Sequence, residues 1–196
     1  MLALMAGMSA AAYAETDYPV WVGGTQVTSE NMNDVLGDAD AGATVTFTPA
    51  EGDTPATLTL NGASITGGYT FGDKVAAIYA EGDLTIDVTA DRTVTGPDNG
   101  SGKSYCVYSG GSLTVTVNGE LTAEGGTSTN GYSYGVYANY GAVTVNGELT
   151  AEGGTSTNRS SYGVSAYRDV TVAEGGTLTG EGGAATNGNS YGVSPC

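Results

Sequence analysis

The sequence predicts an all-β fold, a right-handed parallel β-helix of about five coils, each with 28–29 residues and three short strands. Three observations predict this fold: a fixed repeat period, apolar residues spaced by two, and a duplicated phrase. The phrase VNGELTAEGGTSTN is written at Val117–Asn130 and again at Val145–Asn158. A solenoid tolerates identical copies because each coil contacts only its neighbours.

The period is set by a valine or isoleucine that recurs at intervals of 29, 29, 28 and 29 residues. These anchors are Ile78, Val107, Val136, Val164 and Val193. A propeller blade needs four strands and about 40 residues or more, which is longer than this unit. Three β-rich segments per unit instead fit one coil of a β-helix, with coils stacked about 4.8 Å apart.

Apolar residues alternate with polar ones inside the repeat, as in Leu113, Val115 and Val117. This period of two indicates strands, and the 33 glycines argue against helical repeats. Stacking then places equivalent residues in inward columns, which form the core. We predict the columns Ile78/Val107/Val136/Val164/Val193, Leu84/Leu113/Val143/Val170, Ile86/Val115/Val145/Val172 and Val94/Leu121/Leu149/Leu178.

The chain divides into three parts. Residues 1–14 have a short apolar run that ends in Ala12-Tyr13-Ala14, which predicts a signal peptide, shortened at its basic start, and hence export. Residues 15–55 are expected to cap the solenoid, with a short helix at about 30–36 that begins after Ser29. Residues 56–196 form the coils, and we expect either a continuation of the chain or another chain to cover the last one.

The charge is strongly acidic, with 21 acidic residues, 5 basic residues, no histidine and a net charge of −16. Such a charge repels nucleic acids and anionic membranes, and no later segment is apolar for long enough to span a membrane. The two cysteines, Cys106 and Cys196, lie about three coils apart, roughly 14 Å, so a disulfide between them is not expected.

Tyrosine is the strongest candidate for binding. Tyr79, Tyr108 and Tyr137 follow successive anchors, so alternation predicts a column of exposed rings that suits the apolar faces of sugars. A second column, Tyr105/Tyr134/Tyr162/Tyr191, is expected near a corner. The alternative for both columns is an aromatic ladder that only stiffens the solenoid.

Glutamates also form columns, Glu120/Glu148 and Glu124/Glu152/Glu181. The second column is a candidate calcium site, since calcium takes carboxylate oxygens. The alternative is a row of solvated acids that keeps the protein soluble. The sequence requires no cofactor, and calcium is the one candidate ion.

Catalysis has little support. The absence of histidine excludes a Ser-His-Asp triad and histidine-bound zinc. The acidic residues follow the repeat rather than break it, which is typical of a ladder and not of a hydrolytic acid pair. We therefore expect a protein that is not an enzyme, with a β-helix polysaccharide lyase or hydrolase as an alternative.

The segments YPVWVGGTQVTSENMNDVLG, ATLTLNGASITG, AAIYAEGDLTI, RTVTG and SYGVY resemble the secreted carbohydrate-binding-domain β-helix proteins of gut clostridia and related bacteria. The resemblance covers nearly the whole chain after residue 14. It implies an extracellular or cell-surface, non-catalytic β-helix, of a family in which some members bind plant polysaccharide and calcium. It assigns no ligand residue in this chain.

Together these observations predict a polysaccharide-binding β-helix whose contact residues are Tyr79, Tyr108 and Tyr137. A structural stalk or adhesin segment without its own ligand is the alternative.

Overall fold

The computed structural model describes residues 14–37 and 43–195. Within these ranges the regular secondary structure consists of sixteen β-strands and no helix. In chain order the strands are β1 (Asp17–Val22), β2 (Thr25–Thr28), β3 (Thr44–Thr48), β4 (Ala56–Asn61), β5 (Tyr69–Phe71), β6 (Lys74–Ala80), β7 (Leu84–Val88), β8 (Arg92–Thr95), β9 (Lys103–Ser109), β10 (Leu113–Glu124), β11 (Ser133–Ala138), β12 (Val143–Glu152), β13 (Ser161–Ala166), β14 (Val170–Val172), β15 (Thr177–Glu181) and β16 (Ser190–Pro195).

Parallel strands from successive coils stack into two sheets. The first, which we call the tyrosine sheet, has the order β16-β13-β11-β9-β6-β1-β2, with β5 also paired to β6. The second, the threonine sheet, has the order β14-β12-β10-β7-β4-β3, and β8 and β15 pair with its long strands β10 and β12. The predicted all-β parallel β-helix is confirmed.

The register of the tyrosine sheet follows the predicted period. Ile78 pairs with Val107, Val107 with Val136, Val136 with Val164, and Val164 with Val193. The first four of these side chains are at most 1% exposed. Residues one period apart are therefore direct neighbours, and their apolar side chains form a continuous interior.

The predicted columns of the threonine sheet need one correction. Leu113, Val115 and Leu121 pair with Val143, Val145 and Leu149, as predicted. Val94, however, pairs with Ala123, two residues beyond Leu121. The prediction aligned the apolar residues of the two segments, whereas the chain aligns the glycines that follow them, and the Gly96 N–H donates to the Glu124 carbonyl at 2.6 Å.

The segment 15–55 begins with antiparallel pairing. β1 pairs with β2 and with β6, and β3 pairs with β4. The first parallel pair of the threonine sheet joins β4 to β7, with Ala56 opposite Leu84. Antiparallel strands thus cover the first edge of both sheets.

The predicted helix at 30–36 is wrong, since these residues form turns and bends. Thr28 Oγ1 accepts hydrogen bonds from the N–H groups of Glu30 and Asn31, and the Asn31 side chain accepts from the Thr28 N–H at 2.8 Å. Ser29, the predicted cap, instead accepts from the Thr16 N–H. Short polar side chains that bond to nearby backbone favour turns over helix.

Buried serines join neighbouring coils at one corner. Ser133 Oγ donates to the Gly126 carbonyl at 2.7 Å and accepts from the Gly154 N–H of the next coil at 2.9 Å. Ser104 and Ser161 make the equivalent pair of bonds one coil below and above. Because all three serines are fully buried, these hydroxyls satisfy backbone groups that water does not reach.

An exposed asparagine ladder runs beside the serines. Asn158 Nδ2 donates to Asn130 Oδ1 at 2.9 Å, and Asn187 Nδ2 donates to Asn158 Oδ1 at 3.1 Å. These residues end the repeated phrase T-S-T-N and its variant in the following coil. The repeat therefore encodes hydrogen bonds between coils as well as core side chains.

The predicted signal peptide lies, except for Ala14, outside the described residues, as does Cys196. In the part of the chain that the structure describes, no helix is long and apolar enough to cross a membrane.

Candidate functional site

The two predicted tyrosine columns are both in register. Tyr79 pairs with Tyr108 and Tyr108 with Tyr137, and Ser165 continues this column in the next coil. In the second column, Tyr105, Tyr134, Tyr162 and Tyr191 pair in turn. The structure thus brings together the residues that the repeat predicted as neighbours.

Both columns project from the same outer face of the tyrosine sheet. Between Tyr105 and Tyr108, two consecutive residues, Cys106 and Val107, face the interior. The strand bends at the first of these, where later coils have glycine. Simple alternation fails at this bend, and the column predicted for a corner instead lies beside the first column.

The prediction that these rings are freely exposed is wrong. Tyr108 is 8% exposed, Tyr105 is 1% exposed, and Tyr79 and Tyr137 are half-buried. The rings cover one another: Tyr79 stacks on Tyr108 with centroids 5.2 Å apart, and Tyr105 stacks on Tyr134 at 4.9 Å. The binding role of Tyr79, Tyr108 and Tyr137 stays a prediction.

Four further rings complete a surface that we call the aromatic face. Trp21 stacks on Tyr69 at 4.2 Å, and Phe71 contacts both Tyr79 and Tyr108. The aromatic face consists of Trp21, Tyr69, Phe71, Tyr79, Tyr105, Tyr108, Tyr132, Tyr134, Tyr137, Tyr162 and Tyr191. Sequence reasoning missed Trp21 because only the long-range antiparallel pair β1–β6 places it opposite Tyr79.

Basic residues border the aromatic face. Lys103 Nζ lies 5.6 Å and Arg159 Cζ 5.7 Å from the centroid of the Tyr132 ring, and Lys74 Nζ lies 5.8 Å from that of Phe71. Three of the chain's five basic residues are thus placed over aromatic rings, at distances typical of cation–π contacts. Lys74 also forms a salt bridge with Asp73 at 2.8 Å.

Burial changes the acidity of these tyrosines. Burial raises the pKa of Tyr79 to about 12, and the nearby Glu81 carboxylate adds to the effect. Burial also raises the pKa values of Tyr105 and Tyr108. These phenols are therefore neutral hydrogen-bonding groups at physiological pH and poor sources of a nucleophilic phenolate.

We expect alkaline pH to destabilise the protein through this face. The unfolded chain ionises its tyrosines near their ordinary pKa of about 10. Because the folded pKa of Tyr79 is about 12, the stabilisation is complete below about pH 10 and is lost as the pH rises toward 12. An absorbance titration of tyrosinate should show several late-ionising groups, and Tyr79→Phe should reduce their number by one. A folded protein whose tyrosines all ionise together near the ordinary value would contradict this expectation.

The glutamate column is in register, with Glu124 paired to Glu152 and Glu152 to Glu181. Glu124 Oε2 accepts a hydrogen bond from Thr95 Oγ1 at 3.1 Å. Within residues 14–37 and 43–195, no group of three or more histidine, cysteine or acidic side chains could hold a metal ion. The predicted calcium ligands thus lie one above another without converging.

Cys106 is a buried free thiol. Its Sγ donates to the Val94 carbonyl at 3.0 Å, and burial raises the pKa of the thiol. Both effects favour the unreactive protonated form.

A cavity of about 590 Å³ lies between the segment 15–55 and the first coil. Its lining includes Tyr18, Phe47 and three prolines, together with Asp53 and Asp83. Tyr79, Tyr108 and Tyr137 do not line this cavity.

Stacked parallel coils with a continuous outer row of aromatic rings define a β-solenoid of the parallel β-helix class. Comparisons of the chain with protein-family models, with curated proteins and with solved structures give no significant match. The class therefore rests on the parallel register of strands one period apart.

Proposed function

We propose that this chain is a non-catalytic polysaccharide-binding β-helix, exported to the cell surface or the extracellular space, with the aromatic face as its contact surface. The observation that carries the proposal is the continuity of this face. Eleven rings contact one another from Trp21 to Tyr191, along all five parallel strands of the tyrosine sheet. A linear array in which successive rings of the Tyr105/Tyr134/Tyr162/Tyr191 column lie 4.9, 5.0 and 5.0 Å apart suits a linear polymer better than a compact ligand.

The partly exposed rings are the expected contacts. Tyr79 and Tyr137 are half-buried, so part of each ring and its hydroxyl faces solvent. The buried partners Tyr105 and Tyr108 hold these rings in place, which lowers the entropy that is lost when a ligand binds. Sugar hydroxyls can bond to the phenols, while the apolar faces of the sugars contact the outward edges of the rings, whose faces are stacked on neighbouring rings.

Affinity electrophoresis against a panel of soluble plant and host polysaccharides, with and without calcium, tests the proposal. Tyr137→Ala is the sharpest variant, because Tyr137 is half-buried and the next coil carries Ser165 at the same position. We expect it to reduce retention, and we expect the Tyr79/Tyr108/Tyr137→Ala triple variant, with folding checked by circular dichroism, to abolish it. Thr114→Ala and Thr144→Ala, on the outer side of the threonine sheet, are matched controls that should bind normally.

A structural stalk is the second candidate function, and the burial of Tyr105 and Tyr108 favours it. In that case the face is a ladder that stiffens the solenoid. Lack of retention on every polysaccharide would support the stalk. Release of reducing ends or unsaturated sugars would contradict a non-catalytic role. Retention that needs calcium and is lost in Glu124→Gln would support the predicted calcium column.

A further inference from the structure

Tyr140 and Tyr167 form an exposed aromatic pair outside the aromatic face. They are 70% and 59% exposed, respectively, and their ring centroids lie 6.2 Å apart at an interplanar angle of 63°. They follow β11 and β13, at the corner where two successive coils pass from the tyrosine sheet to the threonine sheet. The two rings thus belong to neighbouring coils.

Tyr140 occupies an irregularity of the repeat. Leu113 lies six positions after Val107 and Val170 six positions after Val164, but Val143 lies seven positions after Val136. The Tyr167 N–H donates to the Ala138 carbonyl and the next N–H, of Arg168, donates to the Gly141 carbonyl, so backbone pairing steps over residues 139 and 140. The extra residue takes Tyr140 out of the backbone pairing between these two coils and places its ring beside that of Tyr167.

We propose that Tyr140 and Tyr167 are a site of oxidative modification, at which hydrogen peroxide and a haem peroxidase couple the two rings into dityrosine. Each phenol gives up one electron and one proton and becomes a phenoxyl radical. The radicals form a carbon–carbon bond between their ortho positions, and the two ortho hydrogens move to the phenolic oxygens. Peroxide accepts the two electrons and two protons and leaves as two molecules of water, so the protein loses two hydrogen atoms.

Exposure and ring orientation select this pair. Tyr105 and Tyr134 are 1% and 7% exposed, and their rings lie face to face at 6°, fixed by the strand register. Tyr162 and Tyr191 are the competing pair, because Tyr191 is 38% exposed, but they too are stacked, at 13°. Tyr140 and Tyr167 instead lie on a corner, edge toward face, where no strand register holds the rings parallel.

The product would tie one coil to the next. A bond between residues 140 and 167, which lie 27 positions apart in the chain, closes a loop. Closing a loop removes conformations from the unfolded chain and therefore stabilises the fold. This inference does not depend on polysaccharide binding.

Treatment of the dilute protein with peroxide and peroxidase tests the proposal. We expect a monomer with dityrosine fluorescence and a mass lower by two hydrogens. Trypsin should release residues 104–159 joined to residues 160–168, because cleavage after Arg159 and Arg168 otherwise separates the two tyrosines. Tyr140→Phe and Tyr167→Phe should each abolish this product, whereas Tyr191→Phe is the matched control and should leave it unchanged.

Three results would overturn the proposal. One is dityrosine that survives Tyr140→Phe, another is a cross-link that Tyr191→Phe removes, and the third is a product that consists only of covalent dimers. The three phenylalanine variants keep the ring and lose only the hydroxyl, so misfolding does not explain a loss of coupling.

Discussion

Gly135→Ala is expected to destabilise the protein by about 3 kcal/mol. Residue 135 lies at the bend of β11 between Tyr134 and Val136, where a single methyl group has no space. A Cβ at residue 135 would lie 2.7 Å from the carbonyl oxygens of Ala123 and Glu152 and 2.8 Å from that of Gly163. All three are backbone atoms in paired strands, so a side chain cannot rotate away to relieve the contact. Urea unfolding followed by circular dichroism measures the change in the free energy of unfolding.

Gly100→Ala is the control for this variant. Gly100 is exposed, and an added Cβ meets nothing within 4 Å. Its effect should stay within about 0.5 kcal/mol. Cys106 occupies the equivalent of residue 135 one coil earlier, so an equally small effect of Gly135→Ala would show that the later coil widens to the same extent.

Leu149→Ala is expected to cost about 3 kcal/mol, because it opens a cavity in the middle of a column. Leu149 is fully buried and lies between Leu121 below and Leu178 above. The neighbouring strands are fixed by register on both sides, so they cannot collapse into the space. The free energy of unfolding should fall with little change in the denaturant dependence.

Leu178→Ala is the matched control, since Leu178 belongs to the same column but is only partly buried on the last described coil. We expect a clearly smaller loss than at residue 149. Equal losses at the two positions would mean that stability does not depend on neighbours on both sides.

The sequence alone was sufficient to predict the solenoid and the strand register of its tyrosine sheet, because the interval between anchors is repeated and each anchor is apolar. It was insufficient at Val94, because the predicted column joined Val94 to Leu121 at an offset of 27 residues. The strands keep the offset of 29 residues, which places Arg92 opposite Leu121. Sequence reasoning also mistook the turns at 30–36 for a helix. There the side chains of Thr28 and Asn31 compete for the backbone, and propensity alone does not weigh that competition.

The candidate site was predicted in part. The partners within each tyrosine column followed from the period. The burial of the tyrosine rings could not be predicted from the period. It depends on the bend at Cys106, on contact with Phe71 and on the pairing of β1 with β6. The sequence does show a signal for the hydrogen bonds of Ser133 and Asn158, because the dipeptide S-Y and the phrase T-S-T-N recur. Their hydrogen-bond partners could be assigned only once the neighbouring coil was known.

The hydroxyl of Ser133 bonds only to glycine backbone, of its own coil on one side and of the next coil on the other. Such a joint accepts any next coil that presents a glycine N–H at the position of Gly154. A gene that duplicated one further unit in frame would therefore lengthen the rod by about 4.8 Å without redesign of a single contact. The identical phrases at Val117–Asn130 and Val145–Asn158 are what such growth leaves in a protein.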